Sequence, residues 1–227
     1  VIMLAEGAKP ELYEVGFDYT YGWEVYHQLK KIFGGESAAS FVSVAQSETA
    51  KVPAGGRLMR FVTNHDETSW DDVPVNLFKS PEGSLAAFAA SIYLPSVPLI
   101  YNGQEVGHPQ KMNLFEKNEI NWSANGYMRD AYKQMLSVYH NEVALRGNEI
   151  TFLDSTSTDV IMYKRGQGEQ ALFVLVNVRS ALSKIGLPTE LQGKTMLNLL
   201  TGKTVMLQQE LNIIDYGVYV LKPAALS

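Results

Sequence analysis

The chain has 227 residues, 46% of them hydrophobic and 19% charged, with a formal net charge of -5. That length buries one large core or two smaller ones, and the spread of charge leaves no electrostatic footprint for nucleic acid or an anionic membrane. No apolar run approaches the ~20 residues of a membrane span, and the lack of cysteine excludes disulfides and thiolate metal sites without fixing a compartment.

The first segment, "VIMLAE" (Val1 to Glu6), reads as a strand buried on both faces, as in a parallel sheet. It has no initiator Met and no signal-peptide pattern before it, which suggests a piece of something longer. "FDYTYG" is β-prone. "WEVYHQLKKIFGG" places Trp23, Tyr26, Leu29, Ile32 and Phe33 at helical spacing and stops at Gly34 and Gly35. A second helix is expected before Pro53, then the strand "GRLMRFVTN". Ser80 as N-cap and Pro81 at the first helical position open an Ala-rich buried helix. "PLIYNGQE" is a further strand. Met128, Tyr132, Met135, Tyr139 and Val143 then share one face of a helix that ends by Gly147.

The pattern changes there. "VIMYKRG", "ALFVLVNV", "TMLNLL", "TVMLQQ" and "YGVYVL" are short strands with turns and no helix between them. The expected architecture is α/β: a partial TIM-type (β/α) barrel over residues 1–147, then an antiparallel β-sandwich over 148–227 with its own core, able to fold alone.

In a βα barrel, chemistry sits at the carboxyl ends of the strands. Three strands here end in polar groups: Glu6, then Asn64-His65-Asp66, then Asn102 to Glu105. Singly, each has a plainer role. Glu6 can cap the following helix, His65 can be structural, Asp66 can cap a turn, and Glu105 fits a structural acid. Jointly, carboxylates and a His at one mouth, with no metal-binding spacing at His27, His108 or His140, suit glycoside hydrolysis. That reaction needs a proton donor for the leaving oxygen and negative charge facing an oxocarbenium-like transition state. Trp70 is a candidate for stacking on sugar rings. Trp23 and Trp122 read as core.

These residues resemble the α-amylase family, glycoside hydrolase family thirteen. "FVTNHD" is similar to its fourth signature region, at the end of barrel strand seven, and "MLAEG" to its third, at strand five. "PLIYNGQEVG" resembles its strand-eight segment, "NEINW" the phrase before its last helix, and the terminal strands its C-terminal domain. The resemblance implies that Glu6 is the general acid/base, that Asp66 stabilises the transition state by gripping sugar hydroxyls, and that His65 binds the same sugar. Asn64, Trp70 and Tyr101 are the further substrate-binding candidates.

The family's nucleophile is an Asp within an Arg-x-Asp phrase. None of Arg57, Arg60, Arg129, Arg146, Arg165 and Arg179 has Asp two positions on. The resemblance therefore implies strands five to eight only, close to inactive alone, with open strand edges that two copies can pair. It implies an α-glucan substrate with α-1,4 links, as in starch or maltooligosaccharides. The alternatives are a non-catalytic carbohydrate-binding or transporter-associated relative, and a transglycosylase or isomerase. Calcium is a cofactor often found in the family, but no Asp/Asn-rich calcium loop is present here, so no metal or other cofactor is assigned to this chain. Starch outside the cell favours secretion or a periplasm. Cytosolic maltodextrin enzymes leave the compartment open.

Overall fold

The computed structural model describes residues 1–224. The first part alternates strand and helix. It runs β1 (Leu4–Ala5), α1 (Glu11–Glu14), β2 (Tyr19–Tyr21), α2 (Trp23–Phe33), α3 (Ser40–Ala50), β3 (Arg57–Arg60), α4 (Glu67–Trp70), α5 (Pro74–Leu77), α6 (Pro81–Ile92), β4 (Val97–Pro98), α7 (Gly126–Asn141) and α8 (Val143–Arg146). The strands form one parallel sheet in sequential order, β1-β2-β3-β4. Each strand is followed by helix, the connection parallel strands need.

Strand alternation decides what each side chain meets. Tyr21 pairs with Met59 in register, and Leu4 with Tyr19, so these share one face. Leu58 and Arg60 take the other, toward the helices. Arg60 is fully buried there and forms an ion pair with Glu48 of α3. The other Glu48 oxygen accepts from the Glu24 N–H at 2.7 Å. One buried carboxylate thus neutralises a buried guanidinium and satisfies an orphan donor in the first turn of α2. Val25, Leu29 and Ile32 of α2 are fully buried, as their spacing requires. At α6, Ser80 Oγ accepts from Gly83 N–H at 2.9 Å, the cap expected from Ser-Pro.

Three expectations are corrected. Val1 to Glu6 is not a strand buried on both faces: only Leu4–Ala5 is strand, and Ile2 and Met3 are 69% and 44% exposed. β1 is an edge, with a neighbour on one side only. The run after Pro98 is not strand to Glu105. Gly103 and Gly107 adopt left-handed φ values of 85° and 60°, and a single 3-10 turn, Gln104–Val106, lies between them. Val143 is 62% exposed because the helix breaks at Glu142, whose ψ is 113°.

Beyond Gly147 come β5 (Ile150–Phe152), β6 (Val160–Arg165), β7 (Leu172–Asn177), β8 (Ser183–Gly186), β9 (Thr195–Asn198), β10 (Lys203–Met206), β11 (Glu210–Ile213) and β12 (Val218–Pro223). A six-stranded antiparallel sheet, β10-β9-β12-β7-β6-β5, stands with a two-stranded ribbon, β11-β8. Val160, Met162, Phe173 and Leu175 pack with Ile185, Leu191 and Ile213 in a core belonging to this part alone. Ile161, Tyr163, Val174 and Val176, on the opposite face, pack in one continuous core with α6 and α7.

The terminal sheet is also joined to the βα part by specific hydrogen bonds. Tyr163 donates its hydroxyl to Ala90 O at 3.1 Å. Fully buried Arg165 donates to backbone carbonyls at Tyr93, Gly147 and Glu149. Burial pushes its guanidinium pKa down to about 10, still charged at neutral pH. Arg179 reaches Ile32 O in the last turn of α2 and Glu36 O just past its end. The sheet is fastened to the βα part by side-chain donors aimed at backbone carbonyls.

Candidate active site

Glu6 follows β1, and the Asn64-His65-Asp66 turn follows β3. The His65 Nε2 atom lies 3.6 Å from Glu6 Oε1 and 3.6 Å from Asp66 Oδ2. These are ion-pair separations, longer than a hydrogen bond. The side chains are 62% exposed at Glu6, 39% at His65 and 46% at Asp66. Two carboxylates and an imidazole therefore face one another at an open mouth.

The turn is built by Asn64. Its Oδ1 accepts from Asp66 N–H at 3.0 Å and from Glu67 N–H at 2.9 Å, while its carbonyl accepts from Thr68 N–H at 3.2 Å. That is a cap for α4, and it fixes the backbone from which His65 and Asp66 project. Asn64 is 1% exposed. As a sugar-contacting residue it is therefore corrected: it lies beneath the turn and positions its two neighbours. Its Nδ2 is buried without a partner among the described residues, as is one oxygen of Glu105.

The other candidates fall differently. Trp70 ends α4 and is 70% exposed, with its N–H donating to Asp66 O at 2.8 Å. Its backbone is tied to the site and its ring is free. Tyr101 is half-buried, and its N–H donates to Gln104 Oε1 at 3.2 Å. It follows β4, which borders β3 and not β1.

Two aromatic side chains outside the candidate set, Trp23 read as core and Tyr21 in the β-prone run, lie beside the site. Trp23 donates its indole N–H to Glu6 O at 3.2 Å, holding the end of β1. Tyr21 is 4% exposed, with its ring 5.0 Å from Phe61 and 5.8 Å from Trp23. Burial, and then the Glu6 and Asp66 charges, raise its hydroxyl pKa. The signal was there in the strand: Tyr21 is the inward residue of β2 at the level of Glu6, since Ala5 pairs with Thr20. Trp122 was also read as core, but it is 49% exposed.

Glu6, His65 and Asp66 each offer a ligand atom, all within 4.8 Å of one another. Sequence spacing suggested no metal cluster. Among the described residues the fold gathers this one, a mixed N/O set of the kind that divalent cations take. Chemically the same group offers two carboxyl groups and a ring that can hydrogen-bond.

No family model matches the chain. Among curated proteins it is 25% identical over 195 residues to the α-amylase MalA of Haloarcula japonica, a match covering 82% of this chain and 27% of that protein. Its fold superposes on the maltogenic α-amylase AmyB of Thermotoga neapolitana with a TM-score of 0.81 at 18% identity, over 100% of this chain and 55% of the other. The α-amylase of Geobacillus thermoleovorans, solved with acarbose, gives 0.78 at 16% identity, over 99% and 53%. The chain is a relative of the α-amylase family.

The chain spans about a quarter of the length of MalA (27%) and about half of the two solved α-amylases (55% and 53%). The α-amylase half that it matches is a parallel sheet with helices followed by an antiparallel β unit. Glu6, His65 and Asp66 all lie in its parallel-sheet part.

Proposed function

We propose that this chain supplies the acid/base side of a retaining α-glucan glycoside hydrolase site, acting on α-1,4 links of the starch and maltooligosaccharide type. The supporting observation is the convergence of Glu6 and Asp66 on His65 Nε2, each at 3.6 Å. Glu6 protonates the leaving oxygen and later deprotonates water. Asp66 accepts hydrogen bonds from sugar hydroxyls and opposes the developing positive charge. His65 donates to a hydroxyl of the same ring. Trp23 and Asn64 hold the backbones that deliver Glu6 and Asp66.

The nucleophile lies outside these 227 residues in this reading, since no Arg-x-Asp phrase occurs among them. The chain alone then binds glucan but turns it over poorly, because the covalent route is missing. The division into a βα part, 1–147, and a β part, 148–227, belongs to the same proposal.

Acarbose, the ligand in the Geobacillus thermoleovorans structure, is the probe for this reading. Calorimetry on the chain and on Asp66→Asn should show binding by the first and at least tenfold weaker binding by the second, about the worth of a charge-assisted hydrogen bond. No binding by the unaltered chain, or equal binding by both, contradicts the proposal. Wild-type affinity in Asp66→Asn, with no hydrolysis by either form, points to the non-catalytic alternative.

A further inference from the structure

The loop between the 3-10 turn and α7 carries Phe115 at 89% exposure. A single exposed aromatic is ordinary. This one sits on a turn made rigid by two asparagines. Asn113 N–H donates to Asn118 Oδ1 at 2.7 Å, and Asn118 Nδ2 donates back to Asn113 O at 2.8 Å. Asn113 Oδ1 accepts from Phe115 N–H itself at 2.8 Å. The ring is therefore held in water by a locally satisfied backbone.

The base of this loop is fastened to the site. Met112 N–H donates to Thr68 O at 3.1 Å, and Asn76 Nδ2 donates to Pro109 O at 3.3 Å. Thr68 stands two residues after Asp66 and two before Trp70, itself 70% exposed. Phe115 is three residues from Met112, so its backbone lies within about 11 Å of that anchor even if fully extended. One hydrogen bond thus joins the two segments that carry the exposed Phe115 and Trp70, at Thr68, two residues from Asp66.

A pyranose ring shows a face of C–H bonds and an edge of hydroxyls. The C–H face packs on a flat aromatic surface while the hydroxyls stay in water or meet polar neighbours. We infer that Phe115, with Trp70, forms an outer subsite that stacks on glucosyl units of an α-glucan beyond the unit held at Glu6 and Asp66, so that this rim selects oligosaccharides over disaccharides. The inference rests on the glucan reading proposed above and adds chain-length selection to it.

Calorimetry with maltoheptaose and with maltose, on the chain and three variants, tests it. Phe115→Ala should weaken maltoheptaose about fivefold and leave maltose unchanged. Phe115→Trp should keep wild-type affinity. Asn118→Ala, which frees the turn but keeps the ring, should weaken maltoheptaose alone. Thermal melts check that each variant folds. Wild-type maltoheptaose affinity in Phe115→Ala overturns the inference and leaves the glucan reading standing. Equal weakening for both sugars also overturns it, because the residue then acts on the central site or the fold. Failure of the unaltered chain to bind either sugar overturns both.

Discussion

His65 Nε2 and Glu6 Oε1 lie 3.6 Å apart although their strands are not neighbours: β2 runs between β1 and β3. Two strand spacings amount to roughly 9–10 Å. The side chains bridge that gap because both leave the carboxyl ends of their strands toward the same face. The Trp23 indole, at the start of α2 just after the intervening strand, steadies Glu6 by hydrogen bonding to its carbonyl at 3.2 Å.

The Asn64 cap gives the first prediction. Asn64→Ala removes the acceptor for two backbone donors, which costs about 1–2 kcal/mol in chemical denaturation. It should also weaken acarbose binding, because His65 and Asp66 lose their fixed backbone. Asn64→Ser keeps a neutral oxygen acceptor and should recover part of that loss. Equal stability in all three forms would mean that the cap does not set the turn.

The buried Arg60–Glu48 pair gives the second. Glu48→Ala leaves a fully buried guanidinium uncompensated and should destabilise the protein by about 3–5 kcal/mol, read from urea unfolding. Replacing both residues with apolar ones of similar volume should recover much of that loss. A loss in the double variant as large as in the single one would contradict the desolvation argument.

Asp71 links pH to the rim that carries Trp70. Burial alone would raise its carboxyl pKa, but hydrogen bonds from Lys30 and Tyr26 outweigh burial and hold it below the ordinary value of 3.8. The folded form therefore binds the proton less readily than the unfolded form. Its stabilisation is fully present above pH 3.8 and is lost as pH falls through the lower folded value. Asp71→Asn should flatten the acid limb of the stability profile. An identical acid limb in the variant would rule out this linkage.

Assembly gives a fourth test. β1 and β4 are both edges, and Ile2 and Met3 are 69% and 44% exposed beside β1. Exposed apolar edge strands invite pairing. We propose a dimer through these edges, seen in sedimentation at micromolar concentration. Ile2→Lys with Met3→Glu should shift it to monomer. A strictly monomeric unaltered chain would contradict the proposal.

Much of the site was legible because a parallel sheet brings the ends of its strands together. Glu6 and the Asn64-His65-Asp66 turn could thus be placed at one mouth from strand order alone. Asn64 was misplaced because its side chain serves the local backbone, a choice that hydrogen-bond geometry decides and composition does not. Trp23 was missed because an aromatic at helix spacing reads as packing, and Tyr21 because it lay unmarked in a β-prone run. Tyr21 is packing as well, since its ring is buried while both carboxylates lie close enough to raise its hydroxyl pKa. The terminal strands were visible from their alternation. Alternation cannot tell that one of two apolar faces meets α6 and α7 rather than a second sheet.

The central claim is that Glu6 and Asp66 hold one sugar between them. A double-mutant cycle of acarbose binding, with Glu6→Gln, Asp66→Asn and the pair, tests it most directly. The account predicts that each substitution weakens binding and that the double variant departs from the sum by more than about 0.5 kcal/mol. Strictly additive losses, or no loss at Glu6, would contradict it.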